Sequence, residues 1–225
     1  AHLHSASLSV AAVSVGEKED AYLNVVLPEL DKANVFAGIK TALEFSVKIG
    51  NFLNRPMRVV TLRKSSFKSD EELILYLEKE FGRTREKPTI LIHASKLSVT
   101  KVSRNDEWIA THWTTAHALD VAARLGVISS NRVTYLIQDY EPGFHPWSSD
   151  FALARSTYHA NFRPIVNSSP LQAYLEKNEG LTVDSGRVFA PSIDMPRLRR
   201  TSEQRVPSDD PVIFFYARPS KPRNL

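Results

Sequence analysis

The sequence has no cysteine, only eight glycines among 225 residues, and no long apolar run. Without cysteine there is no disulfide framework, no thiolate nucleophile and no cysteine-ligated zinc. A membrane helix needs about 20 consecutive apolar residues. The longest apolar stretch, around residues 8–15, is much shorter and lacks the basic flank of a signal peptide. We therefore expect a cytoplasmic protein.

The residues that are present suit a chain with a packed core rather than a fibre or a disordered chain. Hydrophobic residues make up 42% of the sequence, and they include 3 Trp, 7 Tyr and 11 Phe. Disordered chains lack aromatic residues at this level. The length suits one large domain or two small ones.

The net charge of +4 is confined to one end of the chain. Residues 187–225 carry eight arginines and lysines against four acidic residues, so the first 186 residues are neutral. A broad nucleic-acid-binding face needs a basic main body. We therefore expect no nucleic-acid partner.

Apolar runs rich in Val, Ile, Leu and Tyr alternate with stretches of helical spacing. The runs predict strands at Tyr22–Leu27, Met57–Leu62, Thr89–His93, Trp108–Ala110, Arg132–Ile137, Arg163–Val166 and Arg187–Ala190. Helices are predicted around residues 39–53 and 118–126. Two further helices are predicted from their start signals. One begins near Ser69, which forms a capping box with Glu72, and the other begins near Ser169, with Pro170 at the first helical position. Continuous apolar strands between helices predict a doubly wound, Rossmann-like parallel sheet with helices on both faces.

The sequence changes character after this alternation. Residues 194–211 are rich in proline and arginine and poor in large apolar residues, which is typical of a linker. A further strand is predicted at Val212–Tyr216, where a new unit begins. We therefore expect a domain over residues 1–193, a linker over 194–211, and the first strand of a second domain in 212–225.

Ligands of doubly wound sheets bind beyond the carboxyl ends of the strands. After the first predicted strand, residues 28–38 lead into a helix whose free N–H groups suit an anionic or carbonyl oxygen, unless this is an ordinary loop. The segment has no G-x-G-x-x-G and no Walker lysine, so neither a dinucleotide oxidoreductase nor a P-loop nucleotide site is supported.

The densest polar and aromatic cluster follows the fifth strand, in residues 138–147. Its carboxylates Asp139 and Glu141, with Gln138, can accept from or donate to sugar hydroxyls, and the rings of Tyr140, Phe144 and Trp147 can cover C–H faces. The alternative is a loop that buries Phe144 and Trp147 and leaves both carboxylates solvated.

His112 follows the fourth strand and either contributes to the same site or caps the next helix while Trp113 packs on the sheet. The histidines show no metal-binding spacing, so we expect no metal. The sequence also has no serine-hydrolase elbow. At the other end of the chain, Arg218, Lys221 and Arg223 follow the last strand, where such cations suit a diphosphate unless they are simply a basic linker end.

Several phrases together resemble the WsaF-type rhamnosyltransferases of glycosyltransferase family 4. They are Tyr22–Leu30, Phe36–Ala42, Ile109–Ala116, Tyr135–Phe144 and Phe215–Asn224. The resemblance implies the N-terminal, acceptor-binding half of a GT-B enzyme, with a donor-binding domain beyond Leu225 and no metal or cofactor. The substrates implied by this likeness would be a nucleotide sugar, dTDP-rhamnose, and a saccharide or glycolipid acceptor of cell-surface polysaccharide synthesis.

The resemblance also implies roles for individual residues. Asp139, Arg218 and Arg223 would be catalytic. The two arginines and Lys221 would also bind the donor diphosphate. Two positions depart from the family pattern: Arg223 stands where lysine is usual, and Gln138 stands where many relatives carry histidine. The acceptor or sugar would contact a set drawn from three loops: Phe36, Ala37, Gly38, His112, Gln138, Tyr140, Glu141, Phe144 and Trp147.

The implied reaction is hexosyl transfer with retention. It would take place in the cytoplasm or at the inner face of the membrane. The arginines at positions 197, 199 and 200 either contact acidic lipid there or stay hydrated. As half of an enzyme, this chain alone is expected to have little or no turnover. The competing hypothesis is a non-catalytic carbohydrate- or nucleotide-binding module that uses the same loops.

Overall fold

The computed structural model describes Val10 and residues 14–16, 20–35, 37–82, 89–190 and 195–204. The strands are β1 (Ser14–Gly16), β2 (Leu23–Leu27), β3 (Met57–Thr61), β4 (Thr89–His93), β5 (Lys101–Ser103), β6 (Glu107–Ala110), β7 (Val133–Ile137) and β8 (Arg163–Val166). The α-helices are α1 (Ala37–Phe52), α2 (Asp70–Phe81), α3 (Trp113–Arg124), α4 (Ser149–Ser156), α5 (Ser169–Glu179) and α6 (Met195–Glu203).

Six strands form one parallel sheet in the order β4-β3-β2-β6-β7-β8. The sheet grows outward from β2 to β4, and the chain then returns to place β6 on the other side of β2. This is the doubly wound Rossmann order, so the predicted fold class is confirmed. Leu23 lies opposite Met57 of β3 and Glu107 of β6, which fixes the central register.

Two hydrophobic clusters cover the two faces of this sheet, because neighbouring strand residues point to opposite sides. Val26 and Ala110 belong to the cluster that contains α3 and Leu175 of α5. Val25 and Ile109 belong to the other, with α1 and α2. Burial on both faces explains why the strands read as continuous apolar runs.

Two features of the sheet differ from the sequence-based prediction. Residues 14–16 and 101–103 form a separate two-stranded parallel sheet, β1 with β5, which was not predicted. The strand predicted at Arg187–Ala190 is wrong: residues 185–187 form a 3₁₀ turn, and only a single bridge joins Val188 to Val166. One bridge is too little pairing to continue the sheet.

The two helix starts predicted from capping residues are correct to within one residue, whereas the helices predicted from about residues 39 and 118 begin earlier, at Ala37 and Trp113. The Ser69 hydroxyl accepts the N–H of Glu72, as a capping residue should, but the Glu72 carboxylate returns to the N–H of Lys68 rather than to that of Ser69. Helix α5 is capped by Ser168, one residue earlier than expected, so Pro170 occupies its second position.

A buried polar network anchors β2 to β3 and to the residue that precedes β6. The Arg58 guanidinium donates to Asp106 (3.1 Å) and to Asn24 (2.9 Å), and Asn24 also donates to Asp106 (2.9 Å). The side chains of Arg58 and Asp106 are only 5% and 1% exposed. A charge buried this deeply is tolerated because it is paired and hydrogen-bonded.

The last described element lies in the expected linker. Helix α6 occupies residues 195–203 and is exposed along its length. Residues 205–225, with the predicted strand at 212–216, lie outside the described residues. Among the described helices, none combines the length and apolar character required to cross a bilayer.

Candidate functional site at the carboxyl edge of the sheet

The point where the strand order reverses lies between β2 and β6, and the loops that follow these strands meet there. The Thr111 hydroxyl, just after β6, donates to the carbonyl of Val26 in β2 at 2.7 Å. Open α/β sheets bind their ligands at this switch point. Candidate residues after β2, β6 and β7 therefore share one edge of the molecule.

His112 caps helix α3, as one of the two interpretations of the sequence predicted. Its Nδ1 accepts the N–H of Thr114 at 3.2 Å, while the Thr115 hydroxyl accepts the N–H of His112 at 3.1 Å. Because Nδ1 is an acceptor, the neutral ring carries its proton on Nε2. That atom lies 3.5 Å from Oε1 of Glu141.

Burial is the main cause that lowers the pKa of His112 to about 4, and the electrostatic effects of His145 and Arg63 act in the same direction. The imidazole is therefore neutral near pH 7. It remains about one-third exposed, so a neutral ring that both caps a helix and faces solvent lies at the switch point.

Glu141 is buried beneath the loop and is not solvated as the alternative interpretation expected. Its Oε2 accepts the N–H of Trp113 at 2.6 Å and the hydroxyl of Tyr135 at 3.1 Å. Its own N–H donates to the Tyr158 hydroxyl at 3.2 Å. These bonds tie the loop after β7 to the start of α3.

Burial is the main cause that raises the pKa of Glu141 to about 8; the charge of Asp139 acts in the same direction, and the bonds from Trp113 and Tyr135 oppose it. Near pH 7 the carboxyl group is therefore mostly protonated. Together with neutral His112 it forms an uncharged pair of hydrogen-bonding groups.

Gln138, at the end of β7, reaches across the switch point to the start of α1. Its Nε2 donates to the carbonyl of Gly38 at 3.0 Å. A Cβ at position 38 would lie 3.5 Å from the same amide, which is ordinary contact. Ala37 has a left-handed backbone with φ of 46°, a strained conformation for alanine. Phe36 lies outside the described residues.

The remaining side chains of the loop point in different directions. Asp139 is exposed, and its Oδ1 accepts the N–H of Tyr140. Phe144 is half-buried, and His145 packs edge-on against Trp113 at 5.3 Å. Trp147 is 86% exposed, contrary to the alternative in which it is buried in the core.

Tyr140 is fixed by a hydrogen bond to Glu179, a residue that was not among the predicted site residues. Its hydroxyl donates to Oε1 of Glu179 at 2.6 Å, and Arg155 donates to Oε2 at 2.8 Å. Burial and this carboxylate raise the pKa of Tyr140. One signal was available: an acidic residue in the last turn of a helix is unfavourable, so Glu179 required partners elsewhere.

The structure thus brings Gly38, His112, Gln138 and Glu141 to one edge and places Trp147 at the far end of the same loop. Arg218, Lys221 and Arg223 lie outside the described residues, so their roles stay predictions. The assembled groups are neutral donors and acceptors beside aromatic rings, which suits a polar, uncharged ligand.

Two comparisons relate this chain to known proteins. Residues 22–169 match the family model described as WsaF, N-terminal domain. The chain is also 34% identical over 117 residues to the O-antigen biosynthesis protein RfbC of Myxococcus xanthus. That alignment covers 52% of this chain and 8% of the relative, so the chain spans only a small part of the relative's length.

Proposed function

This chain belongs to the family of WsaF N-terminal domains, and from that premise we propose that it is the acceptor-binding domain of a glycosyltransferase of cell-surface polysaccharide synthesis. The observation that carries the proposal is the gathering of His112, Gln138 and Glu141 at the switch point of the sheet. The name of the M. xanthus relative, an O-antigen biosynthesis protein, supports the saccharide as acceptor.

The charge state of the edge fits this role. A sugar hydroxyl both donates and accepts hydrogen bonds, so neutral partners that can do both are able to bind it. His112 and Glu141 are such a pair near pH 7, since the pKa of the first is lowered to about 4 and that of the second is raised to about 8. Asp139, exposed beside them, is the carboxylate that reaches the reacting sugar.

The finer assignment is transfer of rhamnose from dTDP-rhamnose, with retention, in a GT-B arrangement. A second domain, entered through residues 212–225, holds the donor, and Arg218, Lys221 and Arg223 stabilise the diphosphate as it departs. The bond from the anomeric carbon to the diphosphate breaks, a bond to the acceptor oxygen forms on the same face, and the leaving phosphate takes the hydroxyl proton.

We place the reaction in the cytoplasm, at the inner face of the membrane. The exposed basic helix α6, with Arg197, Arg199 and Arg200, supports contact with acidic lipid.

The test is a transfer assay of the natural protein that contains this chain, with a panel of nucleotide sugars and saccharide acceptors. Asp139→Asn and Arg218→Ala should each lower kcat by about 100-fold or more, whereas Asp150→Asn, an exposed carboxylate of α4, should leave it unchanged. Unchanged turnover in both of the first two variants would refute the site. Saccharide binding without transfer from any donor would favour a non-catalytic binding module.

A further inference from the structure

A groove runs along helix α4, next to the edge described above. Trp147, Phe151, Arg155 and His159 recur at every fourth residue, which places them on one side of α4 and its flanking turns. With Ser148, Ala152 and Ser156 they line a cavity of about 450 Å³. Pockets of about 300–1,000 Å³ hold small ligands in proteins.

One wall of the groove is aromatic. The Trp147 ring is 86% exposed and lies 4.7 Å from the Phe151 ring. Trp108 and Trp113, by contrast, are 2% and 5% exposed. A tryptophan offers a flat apolar face together with one N–H donor. Such a face matches the C–H side of a pyranose ring.

The other wall is polar and is built in advance of any ligand. Glu179, whose side chain is only 2% exposed, accepts from Arg155 at 2.8 Å and lies 3.6 Å from Nε2 of His159. Its second oxygen is occupied by Tyr140. The buried carboxylate therefore orients the half-exposed guanidinium and balances its charge, so this wall donates hydrogen bonds without a strong preference for anions.

We propose that this groove is a subsite for a neutral pyranose unit of the acceptor chain, separate from the unit that reacts. The ring lies on Trp147, and its hydroxyls face Arg155 and His159. The inference rests on the proposed function for the source of the saccharide. Continuity supports it: His145 packs on Trp113 at the switch point, and two residues later Trp147 opens onto the groove.

The test uses the position of the three tryptophans. Because only Trp147 is exposed, its emission should dominate any change on titration with methyl pyranosides of rhamnose, mannose, glucose and galactose and with their disaccharides. We expect at least one disaccharide to change the emission. By calorimetry, Trp147→Ala and Arg155→Ala should weaken its binding about tenfold or more, and Trp147→Phe should retain part of it.

Phe52→Ala is the matched control, since Phe52 is an aromatic residue of equal exposure (84%) at the far end of α1. It should bind as the wild type does, and circular dichroism should show all variants folded. Binding unchanged in Trp147→Ala, no response to any saccharide of the panel, or a change of oligomeric state as the sole effect of Trp147→Ala would overturn the subsite.

The transfer assay separates this inference from the proposed function. Transfer by the natural protein with the same KM for a disaccharide acceptor in Trp147→Ala refutes the subsite and leaves the function standing. Saccharide binding that needs Trp147, in a protein that transfers no sugar, supports the subsite and refutes the transferase.

Discussion

Replacing Glu141 with glutamine should progressively raise the stability of the folded chain relative to that of the wild type as the pH rises above 6.5. Burial raises the pKa of Glu141 from its usual 4.5 to about 8, and the unfolded chain retains the usual value. Between these two values the folded state holds a proton that the unfolded state has lost. The stability of the wild type therefore falls as the pH rises, and glutamine lacks this dependence.

The two pKa values set the magnitude. The linkage relation gives a wild-type loss of about 2 kcal/mol between pH 6.5 and 8.5, and of about 4 kcal/mol between pH 5 and 9. The window from pH 6.5 to 8.5 isolates the effect of Glu141 better than the wider window, because His112 contributes mainly at lower pH. Its pKa is lowered from 6.5 to about 4, so it adds stability as the pH rises through that range and partly masks Glu141 there.

The assay is urea unfolding followed by far-UV circular dichroism at half-unit steps of pH. The difference in unfolding free energy between Glu141→Gln and wild type should widen by about 2 kcal/mol between pH 6.5 and 8.5. Asp150→Asn, which removes an exposed carboxylate, should give a constant difference. Parallel curves for Glu141→Gln and wild type would show that Glu141 is ionised throughout and that burial does not raise its pKa.

Three further predictions concern stability and are measured by the same urea unfolding at pH 7. Arg58→Ala should cost about 3–5 kcal/mol, because it leaves Asp106 buried without its cation. Ala37→Gly should cost nothing and should gain up to about 1 kcal/mol, because glycine adopts a positive φ without strain. Ser69→Ala should cost about 1 kcal/mol through loss of the cap of α2.

Each of these has a matched control. Arg63→Ala breaks the exposed pair with Glu29, at 3.8 Å, and should cost less than about 1 kcal/mol. Ala42→Gly, inside α1, should cost about 1 kcal/mol or more. Ser69→Thr should restore the cap. Equal effects of Arg58→Ala and Arg63→Ala, equal effects of the two glycine variants, or no loss in Ser69→Ala would contradict the respective arguments.

The central strands of the main sheet, β2 and β3, could be predicted because they are buried on both faces and are therefore apolar at most positions. Arg187–Ala190 has a similar composition but forms one bridge, and composition does not reveal whether a neighbouring strand extends far enough to pair. The short strands β1 and β5 have three residues each, too few for any periodicity to register.

The site was predictable as a set of loops but not as a set of contacts. The sequence located His112, Gln138 and Glu141 after their strands, and parallel pairing alone brings such loops together. The burial of Glu141 was not predictable, since it depends on the Tyr135 hydroxyl and the Trp113 N–H, which arrive from other elements. Glu179 was missed for the same reason: its partners Tyr140 and Arg155 lie on separate segments.

The central position of β2 has a consequence for biosynthesis. The second neighbour of β2 in the sheet is β6. Asp106, just before β6, accepts a hydrogen bond from Tyr22, just before β2, and follows it by 84 residues in the sequence. At about 5–20 residues per second, a ribosome needs roughly 4–17 s to supply them. During that interval β2, all of whose residues are buried in the folded chain, presents an open edge to which other strands can add. Chaperone demand during translation should therefore peak before residue 110 emerges.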